Sequence, residues 1–512
     1  MNKNYYITTP IYYPSAKPHM GHAYSSIVVD FFARFKRIEG YKVFFLTGTD
    51  EHGLKIQRAA EKNKKTPLEF CDEISKTFKE LSKTLNLSND DFIRTTEKRH
   101  YSSVQNLWNI LEKKGEIYLS KYSGWYSVSD EAFYLDDEIK LKDGLNIAKI
   151  SGSPVEWLEE ESYFFKLSNW QNKLLDLYEK NPNFVLPKSR KNEVVSFVKS
   201  GLKDLSVSRK SFSWGIKVPS NKDHVIYVWL DALTNYLSAL NYPNIENEMY
   251  KNFWPADLHM IGKDILRFHA VYWPAFLLAA DLPVPKRIYG HGWILSGEEK
   301  MSKSKGNILD PIEIINEYGL DSLRYYLLKE VSFGNDGNIS KDKLISCINS
   351  DLANNYGNLC QRVLTFTEKN IGLKIPQIDS LDKEDLRILN GYNENYQNLI
   401  NYINDQNINS YMNFIVDQMF IANKYFNDQE PWKKKDDIKR MQSIIYTSLE
   451  LIRKISILLY PVIPNKSLKA LSIFNIRENE ISIETIKNNF FLKSDLIINK
   501  IDILFNKIIP ND

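Results

Sequence analysis

At 512 residues the chain is too long for one ordinary domain and is expected to form two to four compact units. Hydrophobic residues at 43% and charged residues at 26% exclude a largely disordered chain, and three widely spaced cysteines (Cys71, Cys347, Cys360) with no CxxC pair argue against a disulfide framework and a zinc knuckle. With 67 basic against 64 acidic residues the formal charge is only +3, so nucleic-acid contact has to come from local basic patches.

Residues 4 to 9 are β-branched and aromatic and predict a strand; a loop punctuated by proline and glycine follows, and Ala23, Ile27, Val28, Phe31, Phe32 and Phe35 then recur with helical spacing. Gly40 closes that helix and Lys42–Thr47 (KVFFLT) reads as the next buried strand, which predicts a βαβ unit, a parallel sheet and a right-handed crossover. Where the helix begins stands His19-Met20-Gly21-His22. A helix N-terminus offers free N–H groups and the positive end of a dipole, which suits a triphosphate, and Gly21 admits a nucleotide close to the backbone. Two imidazoles three residues apart can donate to phosphate oxygens as charge builds there. Alone, the pair equally fits two solvated histidines at a helix start; a metal site fails for want of a third ligand at suitable spacing.

Residues 119 to 205 are aromatic and acidic (GWYSVSDEAFY, SGSPVEWLEEESYFFKL), with an alternation that predicts an inserted mixed module. Val225–Trp229, a helical stretch Lys263–Ala280 and a strand-like Arg287–Leu295 then read as further parts of the first sheet, which is therefore split. After the last of these comes Lys300-Met301-Ser302-Lys303-Ser304-Lys305-Gly306, a basic loop whose ammonium groups suit a leaving pyrophosphate; alone, such a lysine-rich loop is more often a solvated surface. From about residue 346 long amphipathic helices follow, with Ile408, Met412, Ile415 and Met419 on one face and Ile445, Leu449, Ile452 and Leu459 on another, predicting an all-α terminal domain.

With these two motifs in this order, the chain resembles the class I aminoacyl-tRNA synthetases, whose HIGH and KMSKS signatures match residues 19–22 and 300–304, the second letter for letter. Within that class it resembles the methionine enzymes of bacterial or organellar type, because TTPIYYPSAKPHMGHAY, FLTGTDEHG, YVWLDALTNY, IGKDILRFHAVYWPA and EPW match them over essentially the whole chain. The resemblance implies an α/β fold: a split Rossmann-type (HUP) parallel-sheet catalytic domain, 1–118 and 206–295, around an inserted connective-peptide domain, 119–205. The KMSKS loop and stem-contact region would follow at 296–345, and an all-α anticodon-binding helical bundle at 346–512.

It implies activation of methionine by ATP with Mg²⁺, pyrophosphate release, and transfer to initiator and elongator tRNA(Met). Carried over position by position, the methionine pocket falls on Pro10, Ile11, Tyr13, Trp229, Ala232, Leu233, Tyr236 and His269, with Asp50 anchoring the substrate ammonium and Arg209 supporting Asp50. A wall of aromatic and aliphatic side chains suits a polarizable thioether. For ATP, Gly262 and Asp264 would hold the ribose and His291-Gly292-Trp293-Ile294 would lie beside the adenine, with His19, Gly21, His22, Lys17, Lys300 and Lys303 about the phosphates. Asn358, Arg362 and Trp432 would read the anticodon, where Lys433, Lys434 and Lys435 put phosphate-binding charge beside an aromatic platform.

The chain departs from many relatives in carrying no cysteine in GWYSVSDEAFYLDDE, the stretch where they hold zinc, so no metal is expected in the insert. It ends without the extra RNA-binding module of dimeric relatives, which implies a monomer. No apolar run is long enough to span a bilayer and no targeting pattern opens the chain, so a cytoplasmic location with no membrane partner is expected. Two rivals are another adenylate-forming enzyme of the same sheet type and a catalytically dead RNA-binding paralogue; NLCQR and EPW argue against the first, and intact His19, His22, Asp50, Lys300 and Lys303 against the second.

Overall fold

The computed structural model describes residues 3–128, 130, 132–134, 136–296, 299–300 and 310–509. The chain divides into two compact units, one made of 4–18 and 43–291, the other of 1–3, 19–42 and 292–512.

The first unit is built on a six-stranded sheet in the order Asp91–Arg94, Lys42–Thr49, Asn4–Tyr12, Leu258–Gly262, Ile288–His291, Val185–Leu186. Asn4–Tyr12 runs parallel to Leu258–Gly262, that strand to Ile288–His291, and Lys42–Thr49 to Asp91–Arg94. Such strands are covered on both faces, which is why Val43–Thr49 and Tyr6–Pro10 are buried without alternation. Going outward from Asn4–Tyr12, Lys42–Thr49 and Asp91–Arg94 follow in chain order on one side and Leu258–Gly262 and Ile288–His291 on the other, with the earlier strand Val185–Leu186 added at that far edge, so the order reverses between Asn4–Tyr12 and Leu258–Gly262. In open sheets of this kind ligands bind at the carboxyl ends of the strands flanking that reversal.

The long strands Ile117–Ser127 and Glu156–Phe165 pair antiparallel, with Ala132–Tyr134 and Leu205–Ser206 at their edges, and the helices Gln171–Lys180 and Lys188–Lys199 follow them. The insert is therefore mixed, as its alternation predicts. Two assignments change and a third gains detail. Val225–Trp229 does not join the main sheet: Val225–Ile226 pairs with Ser208–Arg209 in a separate two-stranded ribbon, and a helix begins at Val228. Arg287–Leu295 is two strands, Ile288–His291 in the main sheet and Ile294–Ser296 in a small sheet with Gly337–Ile339. Lys263–Ala280 is helical throughout its middle but changes pitch, from a 3-10 turn at Lys263–Ile265 through a π turn at Phe268–Tyr272 to the α-helix Trp273–Ala279.

In the second unit the helix Met20–Ile38 is buried along almost its whole length. That includes charge: Asp30 is held by Arg34 Nε at 2.8 Å and by Arg324 Nη2 at 2.7 Å, and all three are buried. Arg324, from the helix Leu320–Glu330, also donates to the carbonyls of Val462 (2.9 Å) and Pro461 (3.0 Å). Helices Ile408–Gln429 and Ile438–Leu459 bury the predicted faces, Ile408, Met412, Ile415 and Met419 on one and Ile445, Leu449, Ile452 and Leu459 on the other. No helix among the described residues is long and apolar enough to cross a membrane.

Candidate active site

Gly262 and His291 face each other in register at the carboxyl ends of adjacent strands, and a Cβ on Gly262 would lie 2.6 Å from Asp264 Oδ1. The absence of a side chain there is what lets Asp264 fold back over the strand end. Asp264 is exposed and His291 buried. These three predicted nucleotide residues thus come together beside the reversal point.

Across that point, Ile11 and Tyr13 at the end of the first strand pack with Trp229 against Tyr227, Val228 and Ala232. Pro10 and Leu233 are buried alongside, Leu233 in the main core. Trp229 stacks face to face on Phe268, ring centroids 3.4 Å apart and planes 10° apart. Tyr13 is fixed by its hydroxyl, which donates to the carbonyl of His52 at 2.9 Å.

Tyr236, in the main core, and His269 form a buried polar pair. His269 Nδ1 lies 3.0 Å from the Ile265 carbonyl, which only accepts, so Nδ1 carries the proton. Nε2 then accepts from the Tyr236 hydroxyl at 2.7 Å. Burial pushes the His269 pKa down from 6.5 to about 4, so the ring is neutral at pH 7. The Tyr236 phenol is raised by burial, with Asp50 among the charges acting on it. An uncharged hydroxyl–imidazole pair whose two protons are both engaged presents no charge and suits an apolar side chain.

Asp50 is buried at the end of Lys42–Thr49, its backbone N–H donating to the Tyr12 carbonyl at 2.9 Å. Arg209 is fully buried; its Nη1 donates to Ser206 Oγ at 2.7 Å and the Ser208 carbonyl at 2.6 Å, and its guanidinium lies 3.9 Å from the Tyr227 ring centroid. Lys17 is exposed on the loop after the first strand.

In the second unit His19 is the N-cap of Met20–Ile38. Its Nδ1 accepts from the Gly21 N–H at 3.1 Å, while His22 Nδ1 accepts from the His19 N–H at 3.1 Å. This is a capping box built from two imidazoles. Because each Nδ1 accepts, each proton sits on Nε2, and two N–H donors are presented at a helix N-terminus. Burial, then the neighbouring His19, holds the His22 pKa well below 6.5. A Cβ on Gly21 would meet His19 Cε1 at 3.0 Å, so only glycine leaves the ring where it is.

Ile294 opens the strand Ile294–Ser296 of the small sheet, where it pairs with Gly337, and Trp293 precedes it, its N–H donating to Asp336 Oδ1 at 2.9 Å. Lys300 lies on the strand Glu299–Lys300, in register with Leu295; Lys303 and the rest of the motif lie outside the described residues. Asn358 and Arg362 sit one turn apart at the start of Asn358–Ile371. Arg362 donates to Asn427 Oδ1 at 2.6 Å and lies 5.5 Å from the Phe426 centroid; Trp432 meets Phe426 edge-on at 6.1 Å and is 40% exposed. Arg362 and Trp432 therefore share one aromatic support.

Sequence reading passed over three polar features. Glu51 receives two bonds from Arg94, at 2.7 and 2.9 Å, and His52 and His100 both bond Asp231. His259, fully buried, meets Thr8 Oγ1 at 2.9 Å and stacks on Tyr236. The visible signal was charge inside apolar runs, as in TDEHG and VWLDAL; the pairing itself joins residues far apart in sequence. Among the described residues no group of three or more His, Cys, Asp or Glu could hold a metal ion.

The family model for class I tRNA synthetases (M) matches residues 5–144 and 140–364, and that for the anticodon binding domain of methionyl tRNA ligase matches 380–512. Methionine–tRNA ligase of Brucella suis is 49% identical over 93% of this chain and 92% of its own, and that of Rickettsia conorii 49% over 99% and 100%. Among solved structures, Mycobacterium tuberculosis methionyl-tRNA synthetase in complex with methionyl-adenylate superposes with a TM-score of 0.96 at 43% identity, covering 98% of this chain and 99% of that one. Its apo form gives 0.90 at 40% identity, covering 100% and 99%. By its strand order, its histidine-capped helix and these likenesses across its full length, the chain belongs to the methionyl-tRNA synthetases, a family of class I aminoacyl-tRNA synthetases.

Proposed function

We propose that the chain is a methionine–tRNA ligase. The carboxylate of methionine attacks the α-phosphorus of ATP in line, giving methionyl-adenylate and pyrophosphate, and a hydroxyl of the terminal tRNA ribose then takes the methionyl group and releases AMP. The observations that support this reading are the apolar cluster of Ile11, Tyr13, Trp229 and Ala232 and the neutral Tyr236–His269 pair. Side chains of this kind accept a thioether and offer no counter-charge to a charged side chain. Asp50 pairs with the substrate ammonium, Pro10 and Leu233 complete the wall, and Arg209 holds Asp50 in place.

Gly262, Asp264, His291, Trp293 and Ile294 bind the nucleoside. Lys17, Lys300 and Lys303 meet the phosphates, and the Nε2–H groups of His19 and His22 donate to the oxygens on which charge develops. No protein nucleophile takes part, so the rate comes from positioning, roughly 7 to 11 kcal/mol, and from such donors at about 3 kcal/mol each. Mg²⁺ enters with ATP as part of the substrate, neutralising phosphate charge; the insert works without zinc, its stretch 124–138 having no cysteine. Asn358, Arg362 and Trp432 read the anticodon of initiator and elongator tRNA(Met). We further propose a monomer working in the cytoplasm.

The test is aminoacylation of a tRNA(Met) transcript and of the same transcript with its anticodon exchanged. Methionine is expected to be esterified to the first and not to the second; equal charging of both would refute anticodon reading, and charging of neither would refute ligase activity.

A further inference from the structure

Asp231 is fully buried and held by two imidazoles, His52 Nδ1 at 2.7 Å from Oδ2 and His100 Nε2 at 2.7 Å from Oδ1. Both rings are buried as well; His52 Nε2 meets the Tyr101 hydroxyl at 3.2 Å and His100 Nδ1 meets Ser238 Oγ at 3.0 Å. None of the three enters the reaction described above. A carboxylate at this depth is expensive to desolvate, and well-packed apolar side chains would fill the same space at less cost, so what the charge secures is geometry.

The elements it joins say which geometry. His52 stands two residues after Asp50, and its carbonyl receives the Tyr13 hydroxyl at 2.9 Å. His100 is on the helix Lys98–Lys113. Asp231 lies within the six-residue helix Val228–Leu233, which carries Trp229 and Ala232 and has no side-chain cap. So short a helix does not hold its own direction. Asp231 and Trp229 are separated by about 200° around its axis, so a grip on the carboxylate face sets where the indole lies on the other.

We propose that Asp231, through His52 and His100, is a positioning residue for the methionine site, locking the helix of Trp229 and Ala232 to the segment of Asp50 and Tyr13. The inference rests on the methionine-ligase reading. It is tested by ATP–pyrophosphate exchange on the full chain, after active-site titration so that misfolded protein is not counted. Asp231→Asn and His100→Phe are expected to raise KM for methionine roughly ten- to a hundredfold while leaving KM for ATP unchanged. His100→Gln, whose amide N–H replaces Nε2–H, is expected to restore the wild-type KM, and this pair at position 100 decides the matter if Asp231→Asn does not fold. An unchanged methionine KM with a lowered melting temperature, or an equal rise in both KM values, overturns the proposal. Absence of exchange by the unmodified enzyme would overturn the ligase reading and this inference together, whereas normal exchange with unshifted variants overturns the inference alone.

Discussion

Gly21→Ala separates the chemistry of the histidine cap from its contribution to stability. The new Cβ would lie 3.0 Å from His19 Cε1 and 3.1 Å from its Nδ1. That is tighter than an ordinary carbon contact of about 3.5–4.0 Å, so the imidazole has to give by a few tenths of an ångström, and its 3.1 Å bond from the Gly21 N–H is stretched or lost. Losing an N-cap costs about 1 kcal/mol, but alanine favours the helix over glycine by about the same amount. Stability is therefore expected to stay nearly constant. The Nε2–H donor, however, moves off its target, and displacement on this scale costs up to about 10-fold in rate. The assay is methionine-dependent pyrophosphate exchange, read beside methionine binding without ATP and the melting temperature. The expected result is a fall in kcat with binding and melting unchanged. A wild-type kcat, or a loss of methionine binding as large as the loss of kcat, would refute the role given to His19.

Other variants test other parts. His269 has its pKa depressed from 6.5 to about 4, so between those values the unfolded chain binds a proton that the native chain does not, and stability falls as pH drops through that window. The total is up to about 3 kcal/mol, so His269→Gln is expected to flatten the pH dependence of melting from pH 6.5 to 4; parallel profiles for variant and wild type would contradict it. Trp432→Ala is expected to abolish most charging of tRNA while exchange and melting hold, since the ring is 40% exposed and meets Phe426 only at its edge; equal loss in both half-reactions would make it structural. Asp30→Ala leaves the Arg34 and Arg324 guanidinium groups buried without their shared carboxylate, which is expected to cost about 3–5 kcal/mol; a melting temperature within a degree or two of wild type would refute that.

What could be read from the sequence follows from range. The first strand and helix and the two long C-terminal helices were legible because their apolar residues recur with one period over many residues. HMGH was legible as a helix start, although its use of both Nδ1 atoms as caps was not. Val225–Trp229 misled because Val225, Ile226, Tyr227 and Val228 have strand propensity, while Pro-free, buried VWLDAL is wound into a short helix by its tertiary anchors. Leu258–Gly262 and Val185–Leu186 were missed because a strand of five residues, or two, offers almost no periodicity. The proposed site residues come from resemblance alone: nothing local marks Ile11 and Trp229, which lie far apart in the chain and meet only in the folded structure.

The central claim is the choice of methionine. It is tested most directly by ATP–pyrophosphate exchange with each of the twenty amino acids, with Mg²⁺, without tRNA, and with a zinc-selective chelator as control. The account predicts exchange with methionine alone, unaffected by the chelator. Exchange driven by another amino acid would contradict the pocket of Ile11, Tyr13, Trp229, Tyr236 and His269, and exchange with none would contradict the reading as a ligase.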